Sequence, residues 1–269
     1  MIEVSGVSQT SLALEQSFLK ELAAYRELCG SYILRMFGYA VERNEGARDK
    51  SVRYMIIMEL MARGSLAKVI EGDSTLSLYR KLTMGRQVAA GMRRIHQHDM
   101  IHRDIRPDNI LVDSDYTAKI GDMGIARFLN PSGAHTQIGC MMYMPPEFYG
   151  AIFDQKLDIY TYGLTIYHLF TGFCHEFESS TRKVKLNKPI PVFADIIKRC
   201  CDPVPSNRPS ALELEKTLAL YEYGFNESVI KKQPSYDNLN LRQKNEIFIE
   251  FCQSFRAEAD KFAAHKNFL

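Results

Sequence analysis

Apolar positions along the chain switch between helical and strand spacing, and the switches outline the elements. In residues 14–28, Phe18, Leu22 and Tyr25 share one stripe, which predicts an amphipathic helix. Residues 32–41 and 52–60 are rich in aliphatic and aromatic side chains and predict two strands, joined by a charged surface loop over 42–50. A second helical stripe, Leu78, Leu82, Val88, Met92 and Ile95, runs through residues 78–98. Residues 110–112 and 118–120 read as short strands around the turn residues Asp113, Ser114 and Asp115. Residues 157–170 are apolar almost throughout, the pattern of a helix buried on most sides. Another helix is expected over 193–201, and Ser210 with Glu213 forms a capping box opening one more, which Gly224 would close. Residues 226–240 are polar and broken by Pro234. Beyond them Phe248, Phe251, Phe255 and Phe262 recur at helical spacing over 241–262. That last stripe faces either the adjoining core or a partner.

The chemistry is concentrated in residues 101–127, IHRDIRPDNILVDSDYTAKIGDMGIAR. His102-Arg103-Asp104, four further residues and Asn109 match the catalytic-loop signature of protein kinases, and Asp122-Met123-Gly124 follows where that family has Asp-Phe-Gly. Tyr143-Met144-Pro145-Pro146-Glu147 is similar to the end of an activation segment, Asp158 to Gly163 to the start of the central buried helix, and Asn207-Arg208-Pro209 to the late arginine motif. Each alone could be chance, but their order is that of the family. The chain therefore resembles a protein kinase, closest in wording to the tyrosine-kinase-like group that mostly modifies serine or threonine. The resemblance implies an α+β, two-lobed fold with a mostly helical C-lobe, using ATP and Mg2+.

By the same resemblance Asp104 accepts the substrate hydroxyl proton, Arg106 stands where serine/threonine kinases have lysine, and Asn109 and Asp122 hold Mg2+. Leu111 resembles the floor beneath the adenine ring. Residues 58–61 resemble the hinge: Met58 guards the back of the nucleotide pocket, and Glu59 and Met61 belong to the nucleotide-binding set. Arg103 is placed to meet a phosphate on the activation segment, with Thr136 the favoured site and Ser132 a second candidate; Tyr143 reads as a packed anchor. Architectural roles fall to His102, to Glu147 and Arg208 as a buried ion pair, and to Asp158, which either braces the catalytic loop or merely caps its helix. Glu21 occupies the place of the family's ion-pairing glutamate.

Composition raises no obstacle. The chain has 269 residues, 46% hydrophobic and 25% charged, enough for a sizeable core. Its net charge of +2 argues against a nucleic-acid or anionic-membrane partner. With no apolar run of membrane-spanning length and no basic and apolar leader in the opening residues, the expected compartment is cytosol or nucleus. Cys29, Cys140, Cys174, Cys200, Cys201 and Cys252 lack metal-ligand spacing and read as free thiols.

One departure from the family changes the expectation. The glycine-rich cover of the phosphates and the lysine that pairs with the helix glutamate are not found before the first helix; Lys20, Lys50 and Lys68 all lie in the wrong context. An N-lobe of one helix and about two strands is expected, truncated and with apolar surface exposed, which implies a covering partner, a loosely ordered lobe or, the first expectation, an incomplete version of a longer kinase. The expected division is 1–61 for the partial N-lobe and hinge, 62–224 for the C-lobe and 225–269 for an extension with an amphipathic helix. Two functions remain open: ATP-dependent phosphoryl transfer to protein serine or threonine, or a pseudokinase acting as a binding module or scaffold. Arg106, Cys140 where threonine is usual, and Met123 for phenylalanine are the departures that touch substrate choice and turnover.

Overall fold

The computed structural model describes residues 2–4, 8–44, 51–125, 127–128, 139–150 and 153–264. The chain begins with β1 (Ile2–Val4) and α1 (Ser8–Glu27), then β2 (Met36–Asn44) and β3 (Ser51–Met58). The sheet order is β1-β3-β2, with Ile2 opposite Tyr54 and Tyr39 opposite Ile56, both pairings antiparallel. The strand before the helix corrects the expectation of about two strands. Three residues are too few to show an alternation, and β1 is fixed by backbone pairing to β3 instead.

The segment after α1 also departs from the prediction. Residues 32–34 do not start the strand: Ile33 bridges Ile120, Leu34 N–H donates to the Ile120 carbonyl at 2.8 Å, and Ile120 N–H to that of Tyr32 at 2.9 Å. Ile33 and Leu34 are apolar because they bury against the C-lobe, at 2% and 4% exposure. This link anchors the end of α1 beneath the cleft.

Beyond the hinge come β4 (Gly64–Ser65), α2 (Leu66–Gly72), α3 (Leu78–Gln97) and β5 (Met100–Ile101). Ser77 caps α3, its hydroxyl accepting from Arg80 N–H at 3.3 Å. The β6 (Ile110–Val112) and β7 (Ala118–Ile120) hairpin forms as predicted; Asp113 accepts from the amides of Asp115 and Thr117, which fixes the turn. After β8 (Arg127–Phe128), paired with β5, come α4 (Lys156–Thr171), the β9 (Glu176–Glu178) and β10 (Lys183–Lys185) hairpin, α5 (Ala194–Cys200), α6 (Ala211–Phe225) and α7 (Leu241–Ala264).

Helix α4 is the centre of the core, buried from Leu157 to Tyr167 without interruption. Each such Leu or Ile contributes about 1.5–3 kcal/mol relative to exposure. Gly163 lets α5 approach, since a methyl there would stand 2.6 Å from Cys200 Cβ and 2.8 Å from Cys201 Sγ. Burial pushes both thiols up, Cys201 to about 12, which removes the thiolate that redox chemistry needs.

The end of the C-lobe differs twice from expectation. Ser210 does cap α6, accepting from Glu213 N–H at 3.1 Å, but the Glu213 carboxylate bonds Arg199 at 2.6 Å rather than completing the box. Gly224 does not close the helix, which continues through a wide turn to Ile230. Its missing side chain makes room for α7: a methyl would lie 2.7 Å from Phe255 and 3.2 Å from Phe251. Of the predicted stripe on α7, Phe248, Phe251 and Phe255 pack on the core, with Phe248 fully buried against Tyr79, Phe193 and Phe225, while the side chain of Phe262 lies outside the described residues. Among the described residues, no helix is long and apolar enough to cross a membrane.

Candidate functional site

The loop between β5 and β6 is held from below by one buried carboxylate. Asp158, in the first turn of α4, accepts from His102 N–H and Arg103 N–H at 2.8 Å each and meets His96 Nε2 at 2.9 Å. It therefore braces the loop rather than merely capping its own helix. Burial alone would raise its pKa, but the His96 hydrogen bond, the electrostatic influence of the His96 and His102 rings and the His102 amide outweigh it and hold the carboxyl low. The brace sustains a left-handed backbone at Arg103, φ 71°, whose side chain is buried. His102 Nδ1 accepts from Asp104 N–H at 3.2 Å, so Nε2 carries the proton that it donates to the Gly121 carbonyl at 2.9 Å. This packed, hydrogen-bonded imidazole ties the loop to the segment bearing Asp122.

Asp104, Arg106 and Asn109 are brought together. Asp104 Oδ2 accepts from Asn109 Nδ2 at 2.6 Å and from Arg106 Nε at 3.3 Å, while Oδ1 accepts from the Cys140 amide at 3.3 Å. Arg106 also pairs with Asp108 at 3.0 Å. Partial burial opposes its charge, but Asp104 and Asp108 prevail and raise its pKa. Asn109 Nδ2 also donates to the Asp104 carbonyl at 2.9 Å, which leaves its Oδ1 as the side chain's remaining acceptor. The Asn109 carbonyl receives Gly121 N–H at 2.8 Å, setting Asn109 beside the Asp122 segment. Asp122 has φ 53° and an exposed side chain, whereas Met123 beside it is buried in the core with Tyr25 and Leu28. Methionine fills that apolar gap where the family has phenylalanine.

At the hinge, the Glu59 carboxylate is occupied: it accepts from Arg35 N–H at 2.7 Å and Lys119 Nζ at 2.7 and 2.9 Å. Among the described residues, no hydrogen bond engages the Glu59 carbonyl or the Met61 amide, so the backbone offers the acceptor and the donor there. Lys119 was not singled out from the sequence, although the alternation of residues 118–120 places it opposite Leu111, on the face turned from that of the buried Ala118 and Ile120. Leu111 and Met58 are half-buried against the core.

Glu21 lies across from Asp122. A point one methyl from Gly124 Cα is 3.2 Å from Asp122 Oδ1 and 3.7 Å from Glu21 Oε2. Burial and then the Asp122 charge raise the Glu21 pKa. Among the described residues no ion pair includes Glu21, and Lys20 is exposed. Nor does any group of three or more His, Cys, Asp and Glu among the described residues suit a metal ion.

The family model for the protein kinase domain matches residues 2–218. The chain belongs to the protein kinase family. A probable serine/threonine-protein kinase of Dictyostelium discoideum is 29% identical over 232 residues, covering 81% of this kinase and 14% of the relative. Another from that organism is 34% identical over 180 residues, 61% of this chain and 17% of its own. One from Clostridium acetobutylicum is 28% identical over 209 residues, 71% and 31%. The kinase thus spans less than a third of the length of these relatives.

The remaining motif residues occupy architectural positions. Arg208 forms a two-pronged ion pair with Glu147, at 2.5 and 2.9 Å, its side chain fully buried. Tyr143 is buried and packs edge-on against His175, centroids 4.8 Å apart. Ser132 and Thr136 lie outside the described residues.

Proposed function

We propose that this kinase cleft transfers the γ-phosphoryl group of ATP to a serine or threonine hydroxyl of a protein substrate. Asp104 accepts the hydroxyl proton, Arg106 stands beside it to meet the phosphoryl charge, and Asn109 and Asp122 hold Mg2+. The observation that carries this reading is the orientation of Asn109: its amide nitrogen is spent on Asp104, so its oxygen and the exposed Asp122 carboxylate form a set of hard oxygen donors. Such a set fits Mg2+, which supplies charge neutralisation to the phosphates when bound. Leu111 and the hinge at Glu59 and Met61 receive the adenine, the latter two through their backbone. Serine/threonine specificity is supported by the names of the relatives and by the Asp104-to-Asn109 pattern, with Arg106 supplying the cation in a flatter, forked form. Arg103 and the candidate sites Thr136 and Ser132 belong to the regulatory part of this reading. So does the division into an N-lobe and hinge to 61, a C-lobe to 224 and an extension beyond.

A second reading, nucleotide binding or scaffolding without turnover, is supported by the absence of a lysine facing Glu21 among the described residues. The test is magnesium-dependent phosphorylation of a serine/threonine peptide library by the chain, against Asp104→Ala. A rate in the parent that the variant lacks supports transfer; equal rates sink the enzyme reading in favour of the second.

A further inference from the structure

We propose that Lys119 is a positioning residue for nucleotide binding: through the Glu59 carboxylate it locks the hinge to the β6–β7 hairpin, so that the adenine-receiving backbone of residues 59–61 keeps a fixed place relative to Leu111 and Asp122. The proposal rests on the reading of the cleft as an ATP site.

Three observations converge. First, the Glu59 carboxylate joins three segments far apart in the chain. Its Oε1 accepts from Arg35 N–H at 2.7 Å and from Lys119 Nζ at 2.9 Å, and its Oε2 accepts from the same ammonium at 2.7 Å. The Glu59 amide in turn donates to the Arg35 carbonyl at 3.0 Å, so hinge and linker are held from both sides. Second, the pair is shielded from solvent: the Lys119 and Glu59 side chains are only 17% and 21% exposed. Salt and water therefore screen it less than a surface pair. Third, the neighbours of Lys119 are tied to what the site uses. Leu34 N–H donates to the Ile120 carbonyl and Gly121 N–H to the Asn109 carbonyl, each at 2.8 Å. Lys119 itself stands opposite Leu111 in the ladder, and Asp122 follows β7 across Gly121. One ammonium thus sets the hinge against the strand that carries the adenine floor and against the segment that carries a metal ligand. Backbone groups held in place beforehand lose less freedom when the base binds, which favours affinity.

The probes are adenosine and MgADP, titrated by calorimetry into the full chain and into Lys119→Met, Lys119→Arg, Glu59→Gln and the Lys119→Met, Glu59→Gln double variant, with thermal melting as the folding control. Positioning through the pair predicts that Lys119→Met and Glu59→Gln each weaken both probes about tenfold, and that the double variant is within about twofold of the worse single one. Lys119→Arg, whose guanidinium can also meet both carboxylate oxygens, should stay within about threefold of the parent. Glu59→Gln keeps an oxygen for the Arg35 amide and nearly the same shape, so it decides the matter even if Lys119→Met fails to fold. If the folded single variants bind adenosine within about twofold of the parent, Lys119 does not position the hinge, and the ATP reading of the cleft stands without it. A loss in Lys119→Arg as large as in Lys119→Met, or single losses that multiply in the double variant, would also overturn the proposal, because the pair would not be the acting unit. If the parent binds neither probe saturably, the nucleotide reading of the cleft falls together with this inference.

Discussion

At the scale of single residues, the decisive group is Asp158, whose oxygens hold the amides of His102 and Arg103 and the ring of His96. Asp158→Asn would turn an NH2 group toward one of those donors. We expect a loss of about 1–3 kcal/mol of unfolding free energy, read as a lower urea midpoint, and a larger proportional fall in any transfer rate, because the loop that carries Asp104 loses its brace. An unchanged midpoint would refute the bracing role. Because the native pKa of Asp158 is lowered, its contribution is complete above the unfolded carboxylate value of about 3.9 and is lost as pH falls toward the native one. His175 works in a higher window. Burial keeps its pKa below the ordinary value of about 6.5 despite the Met142 carbonyl that its Nε2 meets at 2.7 Å. The native state therefore binds fewer protons, and stability declines as pH falls below about 6.5. Melting temperatures across pH 7.5 to 5 should show this decline, and His175→Gln should flatten it. The buried Arg208 and Glu147 pair is the other weak point: Arg208→Ala strands the carboxylate at a cost of about 3–5 kcal/mol, measurable by denaturant titration.

At the scale of elements, the helices were legible where an apolar stripe was long. The α3, α4 and α7 patterns all appear as read, and the β6–β7 hairpin follows its turn residues. Short elements escaped because pairing rather than composition makes them: β1 and the β9–β10 hairpin have three residues per strand. Gly224 was misread for a related reason. Local chemistry makes a late glycine a helix end, but here the neighbouring α7 decides its use. Gly224→Ala should force the Phe251 and Phe255 rings to shift, costing about 1–3 kcal/mol and speeding proteolytic cleavage in residues 231–240. A variant as resistant as the parent would mean that α7 repacks freely.

At the scale of the whole molecule, the two lobes differ in how much apolar surface they bury. The β1–β3–β2 sheet leaves Phe37, Tyr39 and Ile57 more than half exposed, whereas α4 is enclosed. Amide exchange followed by mass spectrometry should therefore find β2 and β3 exchanging at least about a hundredfold faster than α4. Comparable protection would show that the sheet is as stable as the core. The exposed N-lobe surface was expected from the sequence; the tether of Ile33 and Leu34 to Ile120 was not, since a strand and a bridge have the same apolar composition. By itself the sequence determined the family and the order of the motifs, because the family's motifs set particular acids and amides at fixed spacing. Only the tertiary structure decided which of them meet. It spent the Glu59 carboxylate on Lys119 and set Glu21 against Asp122, because those contacts join segments tens of residues apart that no local pattern relates.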